Sequence, residues 1–429
     1  MSDINLKTNQ ETFFQRLKLI NNNQDHWVIS ALIISLFTLP FGFMTFKGLF
    51  GYLSSICLIL SVATLLIAPK NLTQFYQTKY SLLITVGLSA ITIVTALTQT
   101  LQGHLILSAY DGPIRLLIAL PILIVIYQLK INFSKILSYT LPLVLLVIFS
   151  LGRVDVHPWG DRLTSPYLDP IFWGNFSMII GFMCFASIQA HDHSWFKFYK
   201  FSGLLLGGAM SLLSQSRAGW VAAIVMAFVW LILNRKTISF KKVVLIILSF
   251  FIILLALYLF VDMVKFRIDL AITEALHWYT NTQSVSSVGI RLTMWKMSLY
   301  LFSLNPWLGY GDFSALPIMH DVYIASFADP ESIRTIQCCG PHNEIAAHAI
   351  KTGIFGICAL LTTYLIPIYI FLRHKNSPST MMGMMLCVGL FTCGFATEML
   401  GLKIAYTFFA TMTSGLLATT LWQGSINHE

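Results

Sequence analysis

Long, nearly uninterrupted apolar stretches recur along this chain, and they constrain its fold more than any other feature. A helix crossing about 30 Å of hydrocarbon needs about 20 apolar residues, because lipid offers the backbone no hydrogen-bond partners. Twelve segments approach that length: 27–46, 49–68, 81–101, 113–129, 135–152, 170–190, 201–216, 218–234, 243–262, 353–372, 380–397 and 404–422. Soluble domains carry about 25% charged residues; here the charged share is 10% and the hydrophobic share 56%. The expected fold is all-α, a polytopic integral membrane protein with about 12 transmembrane helices. No strand-like segment, internal repeat or soluble domain is expected. The run beginning near Trp27 is too long for the core of a signal peptide and reads as a first anchor.

The net charge is +9. The basic residues punctuate the apolar stretches instead of forming runs, and no nucleic-acid module is present, so no nucleic-acid partner is expected. With a cytoplasmic N-terminus, the inner segments hold Lys7, Arg16, Lys18, Lys70, Lys79, Lys130, Lys135, Lys197, Lys200, Arg235, Lys236, Lys241, Lys242, Arg373 and Lys375. That distribution satisfies the positive-inside rule. Twelve crossings then place both termini in the cytoplasm and the other face in the periplasm. Three regions follow: 1–262 with about nine helices, an extramembrane segment 263–344, and 345–429 with about three helices.

Several basic residues defy this rule. Arg153 and Arg162 fall in an outer connection, Arg217 ends the seventh span, and Lys265, Arg267, Arg291, Lys296 and Arg334 lie in the long outer segment. Something other than topology must require them. Asp111 and Arg115, near the fourth span, read as an outer-edge pair.

Three stretches could carry chemistry. In Ser214-Gln215-Ser216-Arg217-Ala218-Gly219-Trp220, Arg217 stands at the mouth of two apolar spans. It either snorkels to headgroups or clamps an anion, since a guanidinium fork grips phosphate oxygens. In Gly289-Ile290-Arg291-Leu292-Thr293-Met294-Trp295, Arg291 opens an amphipathic helix over about 290–302 that Asn305-Pro306 ends. It is either a solvated helix residue or a second phosphate ligand. In Pro341-His342-Asn343-Glu344, followed by Gly353-x-x-Gly356, His342 is placed in the first turn of a helix starting at Gly340-Pro341. It is either a lone surface histidine or a general base, kept neutral by the helix N-terminus and nearby arginines. The glycines would let the following helix pack closely.

Other groups offer less. His348 is out of step with His342, and His157, His277 and His320 are isolated. No acidic metal pattern and no phosphate-binding Gly-Lys-Ser/Thr loop occurs, so neither metal nor ATP is expected. Adjacent Cys338 and Cys339 receive no role, and five other cysteines read as packing residues.

Taken together, the three stretches resemble the O-antigen ligases. His342-Asn343, then Gly353-x-x-Gly356, is similar to a ligase signature. So are Ser-Gln-Ser-Arg before an apolar span, Tyr279-Thr280-Asn281-Thr282, and Gly-x-Arg-x-x-x-Trp followed by Asn305-Pro306-Trp307-Leu308-Gly309-Tyr310-Gly311. The detailed likeness runs from Arg217 to Gly356 and elsewhere is one of hydropathy layout. The resemblance implies a membrane glycosyltransferase of GT-C-like fold with a long helical periplasmic loop. It also implies a donor, O-antigen on undecaprenyl pyrophosphate, and an acceptor, the lipid A–core oligosaccharide. Arg217 and Arg291 would hold the pyrophosphate and His342 would accept the acceptor's proton, with Arg162 and Asn343 as further substrate contacts and no cofactor. An O-antigen polymerase, a protein O-oligosaccharyltransferase and a lipid-linked sugar transporter are the alternatives.

Overall fold

Apolar sequence and helix coincide along the chain. The structure is a computed structural model, and it describes residues 23–426 except 68–69, 104, 157–160, 236–238, 282–284, 320 and 375–376. Lys7, Arg16, Lys18, His157, Lys236, Thr282, His320 and Lys375 therefore lie outside the described residues. The first half comprises α1 (Asn23–Thr38), α2 (Leu49–Ile67), α3 (Lys70–Tyr76), α4 (Ser81–Gln102), α5 (Ile114–Gln128), α6 (Phe133–Ser150), α7 (Pro170–Ala186), α8 (Ser194–Leu213), α9 (Arg217–Asn234) and α10 (Phe240–Phe260). There follow α11 (Asp262–Thr280), α12 (Ser287–Leu304), α13 (Val322–Ala325), α14 (Pro330–Cys339), α15 (Glu344–Arg373), α16 (Pro378–Gly394) and α17 (Lys403–Ile426).

Among the described residues, helix occupies most of each of the twelve apolar stretches. Among the described residues, seven helices are long and apolar enough to cross a membrane: α2, α4, α5 with the turn before it, α6, α9, α15 and α17. An eighth arises if α10 and α11, bent by 91° at Val261, form one span; the apolar helices ending at Gly42, Ala186 and Gly394 are shorter. Helix starts are set by local chemistry. The Asp169 carboxylate accepts from the Ile171 amide ahead of Pro170, and Ser377 does the same for Thr380 ahead of Pro378.

The bundle is built around α17. Its apolar window is 94% buried, against 17% for α9, which faces outward along most of its length. Several of its hydroxyls are satisfied within the helix: Thr411 donates to the Thr407 carbonyl and Thr419 to the Gly415 carbonyl. Phe408 of α17 joins Phe43, Phe50 and Phe176 in a buried aromatic cluster with centroids 4.1 to 6.1 Å apart. Alongside, α7 and α8 approach so closely that a Cβ at Gly207 would run into the Ser177 carbonyl.

The long segment after α10 has a small core of its own. Met294, Met297, Leu301, Phe313, Ile324 and Ile336 pack with Ile350 of α15. This core fixes α12 and α14 against the first turns of α15, so the segment is a docked helical layer.

Four expectations change. A two-stranded antiparallel hairpin, β1 (Arg153–Asp155) with β2 (Arg162–Thr164), joins α6 to α7, pairing Val154 with Leu163. The helix expected from Gly340-Pro341 starts instead at Glu344, because the Asn343 side chain caps it by accepting from the Ala346 amide and His342 is left-handed at φ +49°. Asp111 pairs with Lys403, while Arg115 donates to the Asp111 backbone carbonyl and to Thr407. Gly353 breaks its helix instead of smoothing a packed face. At φ +64° it lies against the Trp307 carbonyl with no room for a Cβ, and the Ile354 amide donates to the Pro306 carbonyl at 2.8 Å. Tyr310 and Gly311 donate to the carbonyls of Ile350 and Lys351, so the Asn-Pro-Trp and Gly-x-x-Gly stretches dock on each other. Cys338 and Cys339 are joined as a disulfide.

Candidate active site

The chemistry-bearing residues sit at helix ends that the fold gathers together. Gln215, left-handed at φ +56°, turns the chain between α8 and α9, and Arg217 becomes the first residue of α9. The turn holds the hairpin. Arg162 Nε–H donates to the Ser214 carbonyl at 2.8 Å, and the Gln215 side-chain Nε2 donates to the Asp161 carbonyl at 2.9 Å. From below, the Ser216 hydroxyl donates to Asn175 of α7 at 2.7 Å. The Ser-Gln-Ser sequence is thus a tight turn fastened to the hairpin, which brings Arg162 and Arg217 near enough for their charges to interact.

The bend at Val261 lays α11 against this turn, and Arg217 Nη1 donates to the Arg267 carbonyl at 3.5 Å. Helix α12 is fastened in turn to α11. Trp278 Nε1 donates to Thr293 at 2.8 Å, and Glu274 accepts from the Val288 amide at 3.1 Å. Arg291 and Trp295 are one helical turn apart and share a face. Trp295 Nε1 donates to the Pro341 carbonyl at 3.1 Å, tying the next residue, His342, to the helix that carries Arg291. The spacing Arg-x-x-x-Trp therefore has a mechanical meaning: one residue bears charge, the other anchors the histidine.

Four guanidiniums and one imidazole result, with few acids among them. Arg267 is 6% exposed, and its buried Nε–H has no partner among the described residues. Burial, then the charges of Arg162 and Arg217, bring Arg267 down to about 10. Arg291 also falls to about 10, through burial first and then Arg217 and Arg162. Burial lowers Arg162 as well, with Asp169 opposing and Arg217 adding. His342 is lowered by burial first, then by Arg291, with Asp169 opposing. Among the described residues every ion pair uses a lysine (Lys200–Asp192, Lys351–Glu398 and Lys403–Asp111), and none uses an arginine. Partly buried, mutually repelling cations that outnumber the acids near them, Glu274 and Asp169, and form no ion pair among the described residues make a site for a multivalent anion, whose binding relieves both costs.

Arg162, Arg217, Arg291 and His342, singled out in sequence, are all brought together. Asn343 has both ends of its amide engaged within the protein, capping α15 and donating to the Phe395 carbonyl at 3.1 Å. It seats the histidine turn. Arg267 was visible only as one outer cation among several; its burial next to the other three depends on the bend before α11.

Comparison with known proteins agrees with this geometry. Residues 202–361 match the O-antigen ligase family, a stretch holding Arg217, Arg267, Arg291 and His342. This segment belongs to the O-antigen ligase/polymerase superfamily. Members of the family are glycosyltransferase-like ligases and polymerases. The chain is also 24% identical over 279 residues to an uncharacterised protein of Haemophilus influenzae, covering 62% of this chain and 67% of that one. The hairpin arginine, Arg162, lies ahead of the family-matched segment.

Proposed function

We propose that the protein is an O-antigen ligase that transfers O-antigen polysaccharide from undecaprenyl pyrophosphate to a sugar hydroxyl of the lipid A–core oligosaccharide. The reaction takes place on the periplasmic side of the inner membrane and needs neither metal nor ATP. The observation that most supports this reading is the cluster of guanidiniums, in no ion pair among the described residues, beside a histidine at helix ends. Arg217, Arg291 and Arg267, with Arg162 at the hairpin, hold the donor's pyrophosphate. His342 takes the proton of the acceptor hydroxyl. The acceptor oxygen bonds to the anomeric carbon, the carbon–phosphate oxygen bond breaks, and undecaprenyl pyrophosphate departs with its new charge against the arginines. A single displacement inverts the anomeric centre. The pyrophosphate is already a good leaving group, so positioning and electrostatics suffice for the protein's part.

The test is reconstitution of the purified protein with lipid-linked O-antigen and rough lipopolysaccharide, in chelator and without ATP, read by gel banding. A lipopolysaccharide ladder from wild type, absent in His342→Ala and Arg291→Ala, is the expected result. Chain growth on the lipid carrier instead would assign a polymerase. No transfer of either kind by folded protein would return the question to a transporter.

A further inference from the structure

On the other side of the His342 turn lies a second polar feature, a cavity of about 260 Å³. Its lining includes Glu344, His348 and Lys351 on the first turns of α15, Glu398 and Lys403 beside α17, and Asp111 ahead of α5. The cavity and the guanidinium cluster share a wall. Glu344 follows His342 by two residues, and Glu398 Oε1 lies so close to Gly340 that no Cβ fits there.

The two buried carboxyls differ. Glu344 is fully engaged, accepting from the Leu400 amide at 2.7 Å and from the Tyr364 hydroxyl at 3.1 Å. Glu398, 9% exposed, pairs through Oε2 with Lys351 at 3.7 Å, while its buried Oε1 has no partner among the described residues. A buried oxygen without a donor costs stability unless something supplies one.

We propose that this cavity binds an unphosphorylated, hydroxyl-rich sugar ring, that of the acceptor, across the histidine turn from the pyrophosphate site. The volume falls below the about 300–1,000 Å³ of drug-sized pockets, which suits a single sugar ring. No arginine lines the cavity, and its two lysines, Lys351 and Lys403, are committed to Glu398 and Asp111. Phosphate is therefore disfavoured, whereas sugar hydroxyls donate to Glu398 and meet the hydroxyls of Thr95 and Ser108. The binding site stands on the cavity alone; its assignment to the acceptor rests on the ligase reading.

Saturation-transfer NMR of D-glucose with the full-length protein in detergent tests the site independently of transfer. Glucose signals are expected from wild type and from Arg291→Met. They should be weakened about tenfold in Glu398→Leu, which removes the accepting oxygens, the scale of one lost hydrogen bond. Ser108→Trp, which fills the cavity at an exposed lining position, should abolish them and covers the case in which the first variant does not fold. No glucose signal in wild type, or an undiminished signal in folded variants, overturns the proposal. In the reconstituted reaction, Glu398→Leu should raise KM for the acceptor about tenfold and leave the donor's unchanged; a rise for the donor alone overturns the acceptor assignment. Glucose binding that follows this pattern in a protein without transferase activity would leave the cavity standing and remove the ligase reading.

Discussion

Replacing Arg291 by methionine separates what the guanidinium cluster costs the fold from what it gives the reaction. Methionine keeps an unbranched apolar stem and removes the charge. In the folded protein Arg291 falls from the ordinary arginine range to about 10, because it is buried and because Arg217 and Arg162 lie near. At about 1.4 kcal/mol per pH unit, that drop corresponds to about 3 kcal/mol spent on keeping the charge in place. The sign is fixed: a base whose folded value lies below its unfolded value destabilises the fold at every pH below the folded value. The cost is therefore fully present at neutral pH, where Arg291 is charged in both states. No carboxylate loses an ion-pair partner when it is removed, since among the described residues no arginine forms an ion pair. Arg291→Met should consequently melt at the wild-type temperature or above it. Transfer should fall by about 10²–10³, the usual loss when one preorganised electrostatic contact to a developing charge is removed. Thermal unfolding by tryptophan fluorescence, beside single-turnover transfer from lipid-linked donor, measures both. A clear loss of melting temperature would show that Arg291 is structural, and unimpaired transfer would remove it from the site; either result refutes the reasoning.

Two further outcomes follow from the same geometry. Because His342 is lowered by burial and by Arg291, it is neutral at neutral pH, and the acid limb of the pH–rate profile should lie below the ordinary histidine value of about 6.5. Arg291→Met should move that limb to higher pH, and His342→Ala should cut the rate by about 10²–10⁴ and abolish the limb; a limb unmoved by Arg291→Met would show that another group titrates. Trp295→Phe removes the bond to the Pro341 carbonyl while keeping an aromatic ring, so kcat should fall about tenfold with little change in donor KM; an unchanged kcat would show that the bond does not position His342.

The apolar stretches alone determined the helical membrane architecture, because a segment of that length and composition has no other way to satisfy its backbone in lipid. Residue type and order also singled out Arg162, Arg217, Arg291 and His342, since outer cations against the positive-inside bias need a reason. The hairpin was not legible. Its strands are three residues each, held by the Arg162 and Gln215 bonds to distant backbone and by no alternating pattern. Nor was the start of α15, where the Asn343 cap overrode the proline two residues before it. Only the tertiary structure decided that Arg267 joins the cluster, because a 91° bend at Val261 lays α11 against the Ser214–Arg217 turn. It also decided that Pro306 docks on the kink at Gly353 and that Glu398 reaches Gly340 behind the histidine. Sequence shows which residues have chemistry that needs explaining; proximity between residues from far-apart stretches of chain is a property of packing, which no local pattern encodes.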